Sequence, residues 1–287
     1  INSLRDPEKG VIERITNAID AVLEKEKIRC SISSASSPDI IVKKAFPRYY
    51  QHRKDILEGK ETKAQALDAT DKIVVAINDG SQSNKPTIDI IDKGTGIDGP
   101  QFSSTILSIN GSNKLSTDKN YLIGTFGQGG STSLPFTYAT LIISKYNNIF
   151  HFTIIKRFEL AGCKNFTFLY LGNGDKILTL KNDIVESDEY IKSFVDSESG
   201  TLVRMIETEI PREYRMNDVV KPGMLGDLIN TELFNVALPI KLIENRSNFL
   251  ENKNAQARNS FGSYIKMHTW KYAKTDLSGS FVIDHNN

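Results

Sequence analysis

Residues Val11 to Glu26 read VIERITNAIDAVLEKE. Large apolar residues recur at Ile12, Ile15, Ile19, Val22 and Leu23, the spacing of a helix that lays one face on a core. At about 100° per residue and with Glu13 set at zero, Asn17 falls at about 40° and Asp20 at about −20°. An acid, an amide and a second acid therefore share one narrow stripe, about 120° from the apolar arc. The small residues Ala18 and Ala21 stand on its shoulder. A solvated surface stripe is the ordinary reading. A carboxylate and an amide one turn apart can also serve a water and a cation side by side. The rest of the chain decides between the two.

The 287 residues are 39% hydrophobic and 25% charged, which fits a soluble globular protein. A net charge of +1 and a pI of about 7.8 give no electrostatic argument for a nucleic-acid or membrane partner. The two cysteines, Cys30 and Cys163, stand in no metal-ligand spacing, and a reducing, cytoplasmic compartment suits them better than a disulfide. No signal peptide is recognisable, and apolar runs such as Leu141–Ser144 are far too short to cross a bilayer. Ile1 and the final DHNN suggest a piece of a longer protein.

Outward from the first helix, expected over Pro7–Lys27, the chain turns Ser-rich and then charged and aromatic, with helical character around Tyr50–Asp68. IVVAINDG and PTIDIIDKGTGI read as a β-hairpin. A short helix is expected over Pro100–Leu107 and a mobile loop over Ser108–Tyr121, and a Gly-rich turn opens LIGTFGQGGSTSLPF. Ala139–Leu180 reads as an antiparallel meander with NN, GCKN and GNGD turns, Gly200–Glu207 as a further strand and Val219–Asn235 as helical. The tail from Arg246 is ambiguous. The expected fold class is α+β: a two-layer α/β sandwich with a mixed, mostly antiparallel sheet covered by helices on one face.

Three later motifs bear on the polar stripe. DKGTGID, Asp92 to Asp98, places an acid at the end of a strand followed by Gly94 and Gly96. The carboxylate can accept from an exocyclic amine, and the glycines let a flat ligand approach. GTFGQGGS, Gly124 to Ser131, frees backbone N–H groups to converge on an anion, yet it is neither a Walker A loop nor a Rossmann fingerprint. Gly200–Thr201 opens a strand with a hydroxyl that can face a pocket. Each motif alone is an ordinary turn, loop or strand start.

In this order the set E-x-x-x-N-A-x-D-A, D-x-G-x-G, G-x-F-G-x-G and strand-initial GT resembles the GHKL ATPase superfamily. The chaperones of the ninety-kilodalton heat-shock class and the mismatch-repair ATPases are the nearest branches. ERITNAIDA and LIGTFGQGG carry the likeness, which spans about residues 5 to 210. It implies the Bergerat ATP-binding fold over 1–215, with an insertion at about 30–70. Residues 216–287 would form an extension or begin a transducer-like domain. It implies ATP and Mg²⁺ as ligands and ATP hydrolysis as the activity. Glu13 would be the general base and Asn17 the metal ligand, with Asp20 and Ala21 beside them. Asp92 would read the adenine amine with Gly94, Gly96, Ile97 and Thr201 around the base. Lys114, Gly124, Phe126, Gly127, Gln128, Gly129, Gly130 and Ser131 would form the phosphate side and its lid. For Ile97 a plain core position is equally open, and for Lys114 a solvated one.

Two departures stand out: the long span between Asn17 and Asp92, and Gly130 where the chaperone branch has an aromatic residue. The likeness further implies dimerisation on ATP binding and a partner or following domain that completes the site. A histidine kinase is disfavoured, because none of His52, His151, His268 and His285 precedes the first of the nucleotide motifs, at Glu13. The alternative is a nucleotide-sensing or partner-binding module that does not hydrolyse.

Overall fold

The computed structural model describes residues 7–58, 60, 68–107, 121–122, 132–159, 166–172, 177–180, 188–210, 224–249 and 256–262. Helix α1 (Pro7–Arg29) runs two residues past its expected end. Its proline stands at the first position, where the missing N–H costs nothing, and Lys27 and Arg29 sit in the last turn, where the helix dipole favours cations. Val11, Ile15, Ile19, Val22 and Leu23 are fully buried. Helices α2 (Pro38–Ala45) and α3 (Pro47–Leu57) follow, separated by a proline that cannot continue the first of them. The helix expected around Tyr50–Asp68 thus begins earlier and ends at Leu57. Asp68 serves it from outside, its carboxylate accepting from the backbone N–H of Arg48 (3.1 Å) and Tyr49 (3.0 Å) at the start of α3.

Strands β1 (Ile73–Gln82) and β2 (Lys85–Asp92) form the expected hairpin. Strands β3 (Thr137–Tyr146), β4 (Ile149–Glu159), β5 (Phe166–Tyr170) and β6 (Leu178–Leu180) form the meander, with β5 and β6 both on β4. Asn147 and Asn148 carry φ of 49° and 61° at the β3–β4 turn, the left-handed pair that a tight hairpin demands. Helix α4 (Glu189–Val195) leads to β7 (Gly200–Thr208), then α5 (Leu225–Glu232), β8 (Ile240–Glu244) and β9 (Gln256–Ser260). Among the described residues the sheet order is β5-β4-β3-β7-β2-β1-β8-β9, with only β1–β8 parallel. The fold is an α+β sandwich with a nine-stranded, mostly antiparallel sheet among the described residues. Strands β8 and β9 extend that sheet rather than leaving it.

Register sets what each face carries. The row Val75–Ile90–Val203–Ile142 and the row Ile77–Ile88–Met205 are apolar and belong to the side on which α1 packs. One row nearer the strand ends, the same face reads Ile73–Asp92–Thr201–Ser144–His151. That row carries an acid, two hydroxyls and an imidazole, while the two rows before it carry one buried hydroxyl each, Thr153 and Thr140. The expectation of helices on one face needs one correction. Helix α4 covers part of the opposite face, where Tyr190, Ile191 and Phe194 pack on Val74, Ala76, Ile91, Leu202 and Ile243.

That second face also holds a buried charge. Asp89 is fully buried and accepts from Arg204 through Nε (2.7 Å) and one terminal nitrogen (2.8 Å), and from the Tyr190 hydroxyl (2.9 Å). Burial, and then the Asp89 charge, push the Tyr190 phenol up. Removing the guanidinium strands a carboxylate in the sheet. Arg204→Met is predicted to lower stability by about 3 kcal/mol, read as the denaturant midpoint. Most of that loss is restored in the double variant Asp89→Asn/Arg204→Met.

Candidate functional site

The polar row and the polar stripe of α1 meet at Gly94. A Cβ there would lie 2.6 Å from the carbonyl carbon and Cβ of Ala21 and 2.7 Å from its carbonyl oxygen, so only glycine lets the end of β2 touch the helix. At Gly96 φ is +69°, and a Cβ would fall 2.1 Å from the Lys145 carbonyl oxygen. Both glycines, expected to admit a flat ligand, accommodate the protein's own backbone.

Asp92 is held with little freedom. Its Oδ1 accepts from the Gly94 backbone N–H at 2.8 Å, and its backbone pairs with Thr201 on β7. Burial pushes its carboxyl up to about 7, against the backbone hydrogen bonds of Gly94 and Thr201 and the charge of Lys25. Ser144 ties the neighbouring pieces together. Its hydroxyl lies 3.2 Å from Thr201 Oγ1, reaches the Gly200 carbonyl at 3.1 Å and takes the Ile97 N–H at 2.7 Å. Ser199 donates to the Gly94 carbonyl at 2.7 Å. The Ile97 side chain packs with Phe102, Ile142 and Ile155, a core role for that residue. At the end of the row His151 is buried, and burial pushes its imidazole down; its Nε2 stands 3.5 Å from Asp98.

Along α1, Glu13 and Asn17 are half-buried, while Asp20 is only 1% exposed and so is no surface carboxylate. From Glu13 to Ala21 the polar face runs about 12 Å at 1.5 Å per residue. It has a carboxylate–amide end at Glu13 and Asn17 and an Asp92–Thr201 end beyond Ala21. Arg14 is buried behind the first end, and burial lowers its guanidinium to about 10.

The two flanks of the glycine-rich stretch lie at the two ends of this face. Tyr121, 3% exposed, has its hydroxyl raised to about 12 by burial and by the charges of Glu24 and Asp20, and Lys27 Nζ sits 4.6 Å from its ring centre. Ser133 lies against the other end: a Cβ on Gly10 would come within 2.8 Å of its Cα. Lys114, Gly124, Phe126, Gly127, Gln128, Gly129, Gly130 and Ser131 fall outside the described residues. So does the expected loop over Ser108–Tyr121, Tyr121 excepted.

The structure thus brings Asp20, Ala21, Asp92, Gly94 and Thr201 to one end, and sets Asn17 about one turn and Glu13 about two turns from Ala21 on the same helix. Sequence reasoning missed Ser144, Ser199, Arg14 and Tyr121. Ser144 is a serine in an apolar strand, and only the β3–β7 register reveals its neighbour. No protein-family model and no curated protein matches the chain.

The raised Asp92 carboxyl has a consequence for stability. Between its ordinary 3.8 and about 7, the folded chain keeps a proton that the unfolded chain releases. Stability from this group therefore falls as pH rises through that window, and the full cost of the ionised carboxylate is reached above about 7. Asp92→Asn is predicted to unfold at a higher temperature than the parent at pH 8, with the gap closing towards pH 4. A gap independent of pH in thermal unfolding would contradict the assignment.

Proposed function

We propose that the chain is an ATP-binding module of the GHKL, Bergerat-fold type that hydrolyses ATP slowly and changes shape with nucleotide state within a larger cytoplasmic protein. One observation carries the reading. Three separate sequence motifs share a single face: the stripe on α1, the D-x-G-x-G strand end and the strand-initial Thr201, with Tyr121 and Ser133, described residues on either side of the glycine-rich stretch, at its two ends. Chance motifs have no reason to share a face.

In this reading Asp92 accepts from the adenine amine, and Thr201, steadied by Ser144, supports the same edge of the base. A fixed, buried acceptor discriminates well, because a base lacking the donor leaves it unpaired. The phosphates run along α1 towards Glu13, past backbone N–H groups of the glycine-rich stretch. Lys114 is proposed on that phosphate side. Glu13 orients the attacking water and takes its proton as the γ-phosphoryl group leaves ADP. A half-buried amide oxygen at Asn17, one turn from the acid, suits Mg²⁺, which takes most of its ligands from phosphate and water. When bound, the cation neutralises charge developing on the phosphoryl oxygens. Dimerisation on ATP binding and a lysine or arginine from a partner or following domain belong to the same proposal.

Glu13→Gln separates this reading from a module that only senses nucleotide. The variant is predicted to bind ATP within about twofold of the parent and to lose 100-fold or more of its turnover, roughly the share general-base catalysis supplies. Steady-state phosphate release and ATP titration on the same preparations measure both. Turnover unchanged in Glu13→Gln would remove Glu13 from the chemistry.

A further inference from the structure

A cavity of about 690 Å³ lies behind the strand end that presents Asp92. The C-terminal turns of α1, the α2–α3 junction, the residues leading into β1 and helix α4 line this open recess. Its volume is that of a small-molecule site. None of the motifs that led to the nucleotide reading contributes to it except Lys93, which directly follows Asp92.

The lining carries both signs of charge, but not at the same depth. Glu189, Asp196 and Glu198 are exposed at the rim, where solvent screens them. Lys25, Lys72 and Lys93 are half-buried. The two deeper acids are already engaged: Glu26 holds Arg29 at 2.6 Å, and Asp68 accepts the two N–H groups at the start of α3. Among the described residues the Lys93 ammonium donates only to Ser193 Oγ, at 2.6 Å, and Lys72 rests over the Phe46 ring at 5.8 Å. Burial, and then the charges of Lys72, Lys241 and Lys25 working against that of Asp71, hold the Lys93 amine below its ordinary value. Lys25 reaches outward to Glu198 at 3.5 Å. Three lysines thus line one recess whose carboxylates are engaged or lie at the mouth.

We propose that this cavity binds a small phosphate-bearing anion through Lys93, Lys72 and Lys25. The anion supplies a charged acceptor within the recess, with charge-assisted hydrogen bonds at half-buried ammonium groups. It also acts on the nucleotide face. The Lys93 backbone N–H bonds the Lys72 carbonyl at 3.0 Å, and the Lys25 charge is felt by Asp92, so an anion here stiffens the peptide that carries Asp92.

The test is a titration of the 287-residue chain with inorganic phosphate and, separately, with ribose 5-phosphate, at ionic strength held constant with potassium chloride. Calorimetry and the rise in unfolding temperature report binding. Saturable binding is expected, weakened about tenfold in Lys93→Gln and in Lys72→Gln, the loss of one charge-assisted hydrogen bond. Far-UV circular dichroism checks that both variants fold. Tighter binding of ribose 5-phosphate identifies a phosphorylated metabolite as the occupant, and equal binding identifies free phosphate. No saturable binding of either anion, or binding that neither substitution moves, overturns the proposal. Because ATP is absent from the titration, the outcome stands apart from that of the nucleotide reading.

Discussion

The contact on which the site depends is the touch of Gly94 on Ala21. A strand end and a helix approach there to a distance that any side chain would forbid. That approach buries Asp92, and burial gives its carboxyl unusual proton affinity. The same approach lines up the polar stripe of α1 with the most polar row of a mainly apolar sheet face. Ionising a group at such a place weakens the fold above neutral pH.

Strand β7 supplies the second constraint. It enters the sheet between β2 and β3, although it follows both in the chain by more than one element. Its first residues land between Asp92 and Ser144, so three strands distant in sequence contribute adjacent side chains to one row. On the other face the same strand carries Arg204 to Asp89, so the strand that completes the polar row also neutralises the buried acid behind it.

Much of this was legible in the sequence, for local reasons. The period of α1, the alternation and turn of the β1–β2 hairpin, the Asn147–Asn148 turn and the β run after Gly200 are all written in neighbouring residues. What was not legible depends on distant partners. Nothing in Ile240–Glu244 announces a parallel pairing with β1, and α2 and α4 are too short to impose a period. Asp20 reads as a surface acid on a helical wheel yet is buried, near enough for its charge to raise the Tyr121 hydroxyl. Ser144 and Ser199 have no local signature at all, and the glycine spacing of D-x-G-x-G was legible while its cause, contact with α1 and with Lys145, was not.

The most direct test of the central claim is a comparison of ATP and GTP binding by calorimetry in the presence of Mg²⁺. ATP offers an exocyclic amine to the Asp92 carboxylate, whereas GTP places a carbonyl oxygen at the equivalent position of the ring. A buried acceptor that meets another acceptor is left unpaired, and discrimination of about 100-fold or more is predicted, collapsing in Asp92→Asn. Equal affinity for the two nucleotides, or a preference for ATP that survives Asp92→Asn, would contradict the assignment of Asp92 as the group that reads the base.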